Sequence, residues 1–448
     1  MKRLSPLVLL LLLQTDLPAA DTPRAFTLEQ VLSAPFPTDL VAAPAASDST
    51  SGSVAWVFDA KGARNVWVAV PPDYKGRAVT AYPDDDGQEI SEVAFTPDGK
   101  SVAFVRGGPP NRASEVPNPL SDPAGSTQAV FIVSVSAGAG GAPKRVGDGA
   151  GLAISPRGDR IAWVQKDKVW WAPLDGAATP GAAAQAFQAR GNCRNLRWSP
   201  DGARLAFVSR RGDHAFIGVF DPAGKNVRYL DPSVDQDSEP AWSPDGKRIA
   251  FLRIPSSPSA REILRPHREG TPWSILVADA GTGRAKPVFR ADAGKGSVFR
   301  EVVSRDQILW TDTGAGGGRL VFPWEKDGWT HLYALPSEGG APALLTPGAF
   351  EVEDVALAPD GKSLLYNSNE GDIERRHIWR VALAAAGGKP IAVTSGEGSE
   401  WSPVAAGGDA IAFIRSGAKK HPYPVIRSGG ASGAEKELAP GSVPAEYP

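Results

Sequence analysis

The stretch "AWSPDGKRIAF", Ala241–Phe251, shares eight of its eleven residues with "RWSPDGARLAF", Arg197–Phe207, which lies 44 positions earlier. Ser-Pro-Asp-Gly has the residue order of a tight chain reversal. Proline presets φ at the first central position of the turn, aspartate suits the second, and glycine tolerates the exit geometry. Past the turn, large and small side chains alternate with period two, as a buried strand requires. The phrase recurs as "FTPDGKSVAFV" (Phe95–Val105), "ISPRGDRIAWV" (Ile154–Val164) and "LAPDGKSLLYN" (Leu357–Asn367). Weaker copies at Gly52–Phe58, Ser304–Asp312 and Gly407–Arg415 bring the count to eight units.

Each unit continues in the same way. A second apolar run follows, such as "VFIVSV" (Val130–Val135) or "IWRVAL" (Ile378–Leu383), and then a Gly- or Asp-rich turn and a short closing strand such as "ALLTPG" (Ala343–Gly348). With the strand before the turn, this makes four antiparallel strands per unit of roughly 50 residues, the signature of sheets arranged radially. The pattern predicts an all-β fold, a β-propeller of eight blades with four antiparallel strands each. The degenerate first and sixth units leave seven or nine blades open. A stacked array of β-sandwiches would repeat at about 100 residues, twice this period. A small residue recurs between bulky ones at Ala103, Ala162, Ala206, Ala250 and Ala412. It predicts a shallow face against which the next sheet packs.

Composition narrows the function. The 48 Lys+Arg nearly cancel the 50 Asp+Glu, so no whole-molecule field gathers nucleic acid or an anionic membrane. Lys2 and Arg3, the apolar run Leu7–Leu13 and the small residues before Asp21 read as a signal peptide over 1–20. That reading predicts an exported, periplasmic or secreted chain with no membrane association after signal removal. The apolar run is far shorter than the ~20 residues that span a bilayer. With Cys193 the only cysteine, an intrachain disulfide is excluded. The domain reading is a signal peptide (1–20), an N-terminal extension (21–38), the propeller (39–440) and a tail or linker start (441–448).

Catalytic motifs are missing. The chain has no Gly-x-Ser-x-Gly elbow, no phosphate loop and no His-Glu-x-x-His, so neither a metal nor a cofactor is expected. The histidines, His214, His267, His331, His377 and His421, are scattered and read as surface or strand-end polar residues. Function is then expected where the repeat is interrupted, because binding residues concentrate on excursions from rigid scaffolds. Three segments qualify. Gly107–Gln128 is Pro/Asn-rich, and Ile254–Trp273 carries Arg261, Arg265, His267 and Arg268. In Phe322–Tyr333, Trp324 and Trp329 bracket Glu325 and Asp327. Glu370 and Asp372 complete the set of candidate substrate contacts.

Longer strings carry a family resemblance. "FTLEQVLSAPFPTDLVAAP" (Phe26–Pro44), "RYLDPSVDQDSEPAWSPDGKRIAFLRIP" (Arg228–Pro255), "VFPWEKDGWTHLYALPSEGG" (Val321–Gly340) and "LYNSNEGDIERRHIWRV" (Leu365–Val381) resemble the N-terminal domain of bacterial prolyl oligopeptidase-family serine peptidases, dipeptidyl peptidase IV branch. In that family an eight-bladed propeller precedes an α/β-hydrolase domain and restricts entry to short or unfolded peptides. The resemblance therefore implies a non-catalytic propeller with peptide substrates and a hydrolase domain as partners. It also places Tyr447-Pro448 about where the linker to such a domain would begin. No paired Glu-Glu of the kind that binds a substrate amine in dipeptidyl peptidases is present, which sets exopeptidase specificity apart from the resemblance. Two other readings compete: a free-standing periplasmic binding or scaffold propeller like that of the Tol-Pal system, and a metal-dependent propeller enzyme such as a lactonase. The last fits poorly, because the acidic residues recur at turns.

Overall fold

The computed structural model describes residues 26–44, 52–138, 141–175, 181–256, 272–292, 297–311, 318–383, 388–429 and 433–448. The signal-peptide reading and Arg261, Arg265, His267 and Arg268 lie outside the described residues.

From Phe36 to Glu437 the described residues form thirty-two strands. They pair into six four-stranded sheets and one eight-stranded sheet, and the larger one is two four-strand meanders joined at a single parallel pair, Ala215 with Gln236. Numbered along the chain, the meanders occupy 36–78, 90–148, 150–188, 192–229, 236–290, 309–344, 352–392 and 399–437. The first strand begins at Phe36, so it takes in the end of the segment read as an N-terminal extension. Earlier in that segment lies the short helix Leu28–Val31, closed by a capping box between Thr27 and Gln30.

First strands of neighbouring sheets touch one another: 36–42 meets 90–95, 192–198 meets 150–154 and 236–242, and 399–405 meets both 352–357 and 36–42. They therefore surround a common axis, with the fourth strands outermost. Between sheets lie apolar cores built as the sequence pattern predicts. Ala103 and Val105 of the second sheet meet Ile161 and Trp163 of the third. Ala206 and Val208 of the fourth meet Ile249 and Phe251 of the fifth. Ala250 and Leu252 then meet Leu320 and Phe322 of the sixth. The series ends where Ala412 and Ile414 of the eighth sheet meet Val54 and Trp56 of the first. Trp56, Trp163, Phe251 and Phe322 are almost fully buried, each contributing about 1.5–3 kcal/mol by removal of apolar surface from water. No strand crosses from one end of the chain into a sheet of the other among the described residues. The ends meet by packing and by a Gly76 N–H to Leu438 carbonyl bond of 2.6 Å.

The repeated turn uses its aspartate internally. Ser199 Oγ donates to Asp201 at 2.6 Å, and the Ala203 N–H donates to the same oxygen at 3.0 Å. Ser243–Asp245–Lys247 and Thr96–Asp98–Lys100 repeat this arrangement. These bonds hold Asp201 and Asp245 below the usual carboxylate range, with the serine hydroxyl as the larger cause. Gly202 and Gly246 leave the turn at φ of 63° and 68°, where a side chain would be strained.

Two sequence expectations are corrected. The copy at Ser304–Asp312 is out of phase: Leu309–Thr311 is the first strand of the sixth sheet, and Arg319–Glu325 is the second. That sheet has no Pro-Asp-Gly to anchor the register. Nor does Phe322–Tyr333 break the repeat, because Arg319–Glu325 pairs without a bulge to Thr330–Pro336. Pro323 is accommodated because the first strand's ladder reaches only Val321, leaving the proline nitrogen beyond its end.

Closure by packing predicts a sensitive seam. Ala412→Leu, which puts a larger side chain against Trp56, is expected to lower stability by roughly 1–3 kcal/mol, read as a lower urea midpoint. An unchanged midpoint would show slack between the eighth and first sheets.

Candidate functional site: the loop face

Strand order divides the ring into two unlike faces. The Pro-Asp-Gly turns join first to second strands, and turns such as Asp221–Lys225 join third to fourth strands, all on one face. Connections between second and third strands, and all links between sheets, emerge on the other. Two of the segments singled out in the sequence are second-to-third-strand connections, Gly107–Gln128 in the second sheet and the one that follows Ile254 in the fifth, and so is 369–376 in the seventh, which carries Glu370 and Asp372. The tip of the Phe322–Tyr333 hairpin, 326–329, falls there too. The C-terminal tail reaches this face, where Glu446 pairs with Lys61 at 3.0 Å and the His421 N–H donates to the Tyr447 hydroxyl at 3.1 Å.

Gly107–Gln128 is held by its own polar side chains. Asn111 Oδ1 accepts from the Ala113 and Glu115 N–H groups at 2.8 and 3.0 Å, and Asn118 Oδ1 accepts from Asp122 N–H at 3.0 Å. Gln88 Nε2 donates to the Pro117 carbonyl at 3.2 Å, fastening the loop to the link between the first two sheets. Leu120 stands out at 65 % exposure. Phe26, Leu28, Leu32 and Phe36 at the N-terminal segment, and Ile373 in the seventh sheet's loop, are exposed as well.

The residues read as substrate contacts scatter in role. Trp324 is core: its ring lies 5.0 Å from Tyr333 and 5.8 Å from Trp273. Glu325 Oε2 accepts from Arg300 Nε and Nη2 at 3.0 and 2.8 Å. Asp327 accepts from the Trp329 N–H at 3.2 Å, closing the hairpin tip, and Trp329 is half-buried. Asp372 takes Arg375 at 2.6 Å and the Glu374 N–H at 2.9 Å. Glu370 differs, because burial pushes its carboxyl up and one buried oxygen has no partner. The Tyr366 hydroxyl, also buried and unpartnered, is raised by burial and then by Glu370. Arg265 and His267 lie outside the described residues.

Each described histidine has a partner, and none of these is a serine. His331 is fully buried rather than at the surface, its ring between Gly348 O at 3.1 Å and Thr346 Oγ1 at 3.3 Å, and burial lowers its pKa. His377 Nδ1 meets Glu400 at 2.8 Å, and that carboxylate, 1 % exposed, also accepts from Thr394 and Arg415. His214 meets Asp213 at 2.8 Å, and His421 Nδ1 meets the Pro422 carbonyl at 2.7 Å. Burial raises the Cys193 thiol to about 11, an unreactive state. No group of three His, Cys, Asp or Glu among the described residues could hold a metal.

Sequence reasoning missed two features. The first is a bulge in the axial strands that places a non-glycine residue at positive φ: Asp39 (52°), Glu92 (53°), Asn195 (51°), Glu239 (54°) and Ser402 (50°). Four of these side chains, those of Glu92, Asn195, Glu239 and Ser402, bond to a neighbouring sheet. Glu92 accepts from the Gly151 and Leu152 N–H groups at 3.0 and 2.8 Å, and Asn195 Nδ2 donates to Glu239 at 3.2 Å. A signal was present in "EVAFTPDG", "NLRWSPDG" and "EPAWSPDG", where a polar residue stands three before the aromatic. The second is a clamp in the fifth sheet. Arg253 Nε and Nη2 donate to the two oxygens of Asp237 at 2.7 and 2.9 Å, while Nη1 donates to Asp231 Oδ2 at 3.0 Å. No motif announces it, since its residues come from one linker and two strands.

Comparison with known proteins places this geometry. The fold defines a β-propeller. Residues 265–416 match the family model of the dipeptidyl peptidase IV (DPP IV) N-terminal region. Porphyromonas gingivalis dipeptidyl peptidase 4 is similar at TM-score 0.56 and 14 % identity, covering 94 % of this chain and 62 % of that one. A structure from a study of two prolyl endopeptidases is similar at TM-score 0.54 and 12 % identity, covering 89 % of this chain and 55 % of that one. The chain thus spans less than two thirds of either. The resemblance read from the sequence holds: the match falls on the dipeptidyl peptidase IV N-terminal type of propeller. No helix among the described residues is long and apolar enough to cross a membrane.

Burial pushes the Asp237 carboxyl up to about 6 against the pull of Arg253. A carboxyl raised on folding favours the folded state while protonated, so this contribution is complete below the unfolded value near 4 and fades as pH rises through about 6. Stability is therefore expected to fall between about pH 4 and pH 6 by roughly 3 kcal/mol from this group. Asp237→Asn should flatten that slope, as read from urea midpoints at the two pH values.

Proposed function

We propose that this chain is the non-catalytic propeller of an exported serine peptidase of the prolyl oligopeptidase family, admitting and selecting peptides for an α/β-hydrolase domain seated on the loop face. The observation that carries this reading is the match of residues 265–416 to the dipeptidyl peptidase IV N-terminal region. The loop face supports it, because the excursions, the C-terminal tail and exposed Leu120 and Ile373 all gather there, while the opposite face carries the short repeated turns. Export rests on the n-region and apolar run of residues 2–13. On this reading Glu370, whose buried oxygen has no partner, is the first acidic candidate for a substrate contact, ahead of Glu325, Asp327 and Asp372, which are already paired.

The test uses a serine-directed fluorophosphonate and short chromogenic peptides, some with proline or alanine before the scissile bond. The 448-residue chain purified alone is expected to show neither turnover nor labelling. When the chain is immunoprecipitated from its native source, the label is expected on a serine hydrolase polypeptide that contains or accompanies it. Stoichiometric labelling of a serine within these residues, or a native complex without any labelled polypeptide, would overturn the reading.

A further inference from the structure

A pocket of about 500 Å³ opens on the loop face between the fourth and fifth sheets, within the usual range for small-molecule sites. The apolar side chains of its floor are Leu276 and Pro287, while Val288 and Phe289 reach it by their backbone, their side chains packing on the other side of the sheet. One wall is the linker between the two sheets, which carries Asp231 and Asp235, with Val234 beside them at 78 % exposure. The opposite wall is a cross-strand row in which Arg253 faces Ser274 and Ser274 faces Arg290. Directly opposed residues on antiparallel strands project from the same side of a sheet, so all three side chains line the cavity.

The charges in this row have different roles. Arg253 is held by Asp237 and Asp231 and donates also to the Asp231 carbonyl at 2.6 Å, so it fixes the linker wall and offers little free charge. Arg290 is exposed and has no ion-pair partner among the described residues. Across the cavity, Asp235 accepts at one oxygen from the Ser256 N–H at 3.2 Å, and Asp231 uses Oδ2 for Arg253. The other carboxylate oxygens of both residues have no partner among the described residues. The pocket thus sets one unneutralised guanidinium and a hydroxyl against two carboxylates, above an apolar floor. A simple anion meets the carboxylates, and a simple cation meets Arg290. A small molecule with an ammonium at one end, a carboxylate at the other and an apolar body between satisfies every wall.

We propose that this pocket binds short peptides with both ends free, the carboxylate held by Arg290 and Ser274, the ammonium by Asp235 and Asp231, and an apolar side chain against Leu276 and Pro287. Such peptides are what a peptide-bond hydrolysis releases, so the pocket would report on product. The inference goes beyond the gating reading and is tested without any hydrolase domain.

The test is calorimetry on the mature chain with the dipeptide Val-Phe, its N-acetyl form and its C-terminal amide. The expected result is saturable one-to-one binding of the free dipeptide, weakened by about tenfold or more when either end is blocked, as loss of a charged hydrogen bond dictates. Arg290→Ala should remove the preference for acid over amide and leave that for amine over acetyl, and Asp235→Asn should do the reverse. Ser274→Ala should weaken the free acid more than the amide. Thermal unfolding of all three variants is expected to match wild type, since none of these side chains is in the core. Absence of saturable binding at millimolar dipeptide, or equal binding of free and blocked forms, would overturn the proposal. So would variants that fold normally and keep both preferences.

Discussion

Everything in this molecule depends on one steric match, a shallow alanine-bearing face on each sheet against the bulky face of the next. Protein interiors are as dense as organic crystals, so a sheet can tilt around an axis only if its neighbour's side chains fill the wedge between them. Ala103 admits the third sheet, and Ala250 admits Phe322. The last contact in the series, Ala412 toward Trp56, is made by the same rule, and among the described residues no exchanged strand joins the first and last sheets. The turns and axial bulges follow from this arrangement. Turns reverse the chain within a sheet, and Glu92, Asn195 and Ser402, bulge residues at positive φ, tie their axial strands to neighbouring ones.

Much of this was legible in the sequence because it is local and repeated. Pro-Asp-Gly fixes a turn within four residues, and the large-small alternation names the face that packs. What failed to read was non-local or unrepeated. The sixth sheet lost its phase where the turn was missing, and acidic residues bracketed by Trp324 and Trp329 made an ordinary hairpin resemble an excursion. His331 looked like a strand-end polar residue, yet it is buried because Thr346 and Gly348, more than a dozen positions away, satisfy both ring nitrogens.

The candidate site shows the same divide. Residue type alone marked Glu325, Asp327 and Asp372 as possible contacts, but each is claimed by a neighbour: Arg300, the Trp329 N–H and Arg375. Trp324 belongs to the core between the fifth and sixth sheets. Glu370 alone of the acidic candidates keeps an unclaimed buried oxygen, a property of its surroundings that no spacing encodes. The Arg253 clamp draws its carboxylates from Asp231 in the linker and Asp237 on the next strand, so it emerges only once the fifth sheet is formed.

Among the described residues each sheet is made of consecutive strands, and the first and last sheets are joined by side-chain packing, the Lys61–Glu446 ion pair and a few hydrogen bonds. Every inter-sheet link is therefore equivalent in principle to the natural opening. A gene rearranged to join the outer strand of the eighth sheet to the first strand of the first sheet through a short linker, and to begin at the single residue Gly149 or at the turn near Gly191, would still contain whole sheets in the same cyclic order. The fold fixes the circular sequence of its sheets and leaves the place where synthesis begins free to change.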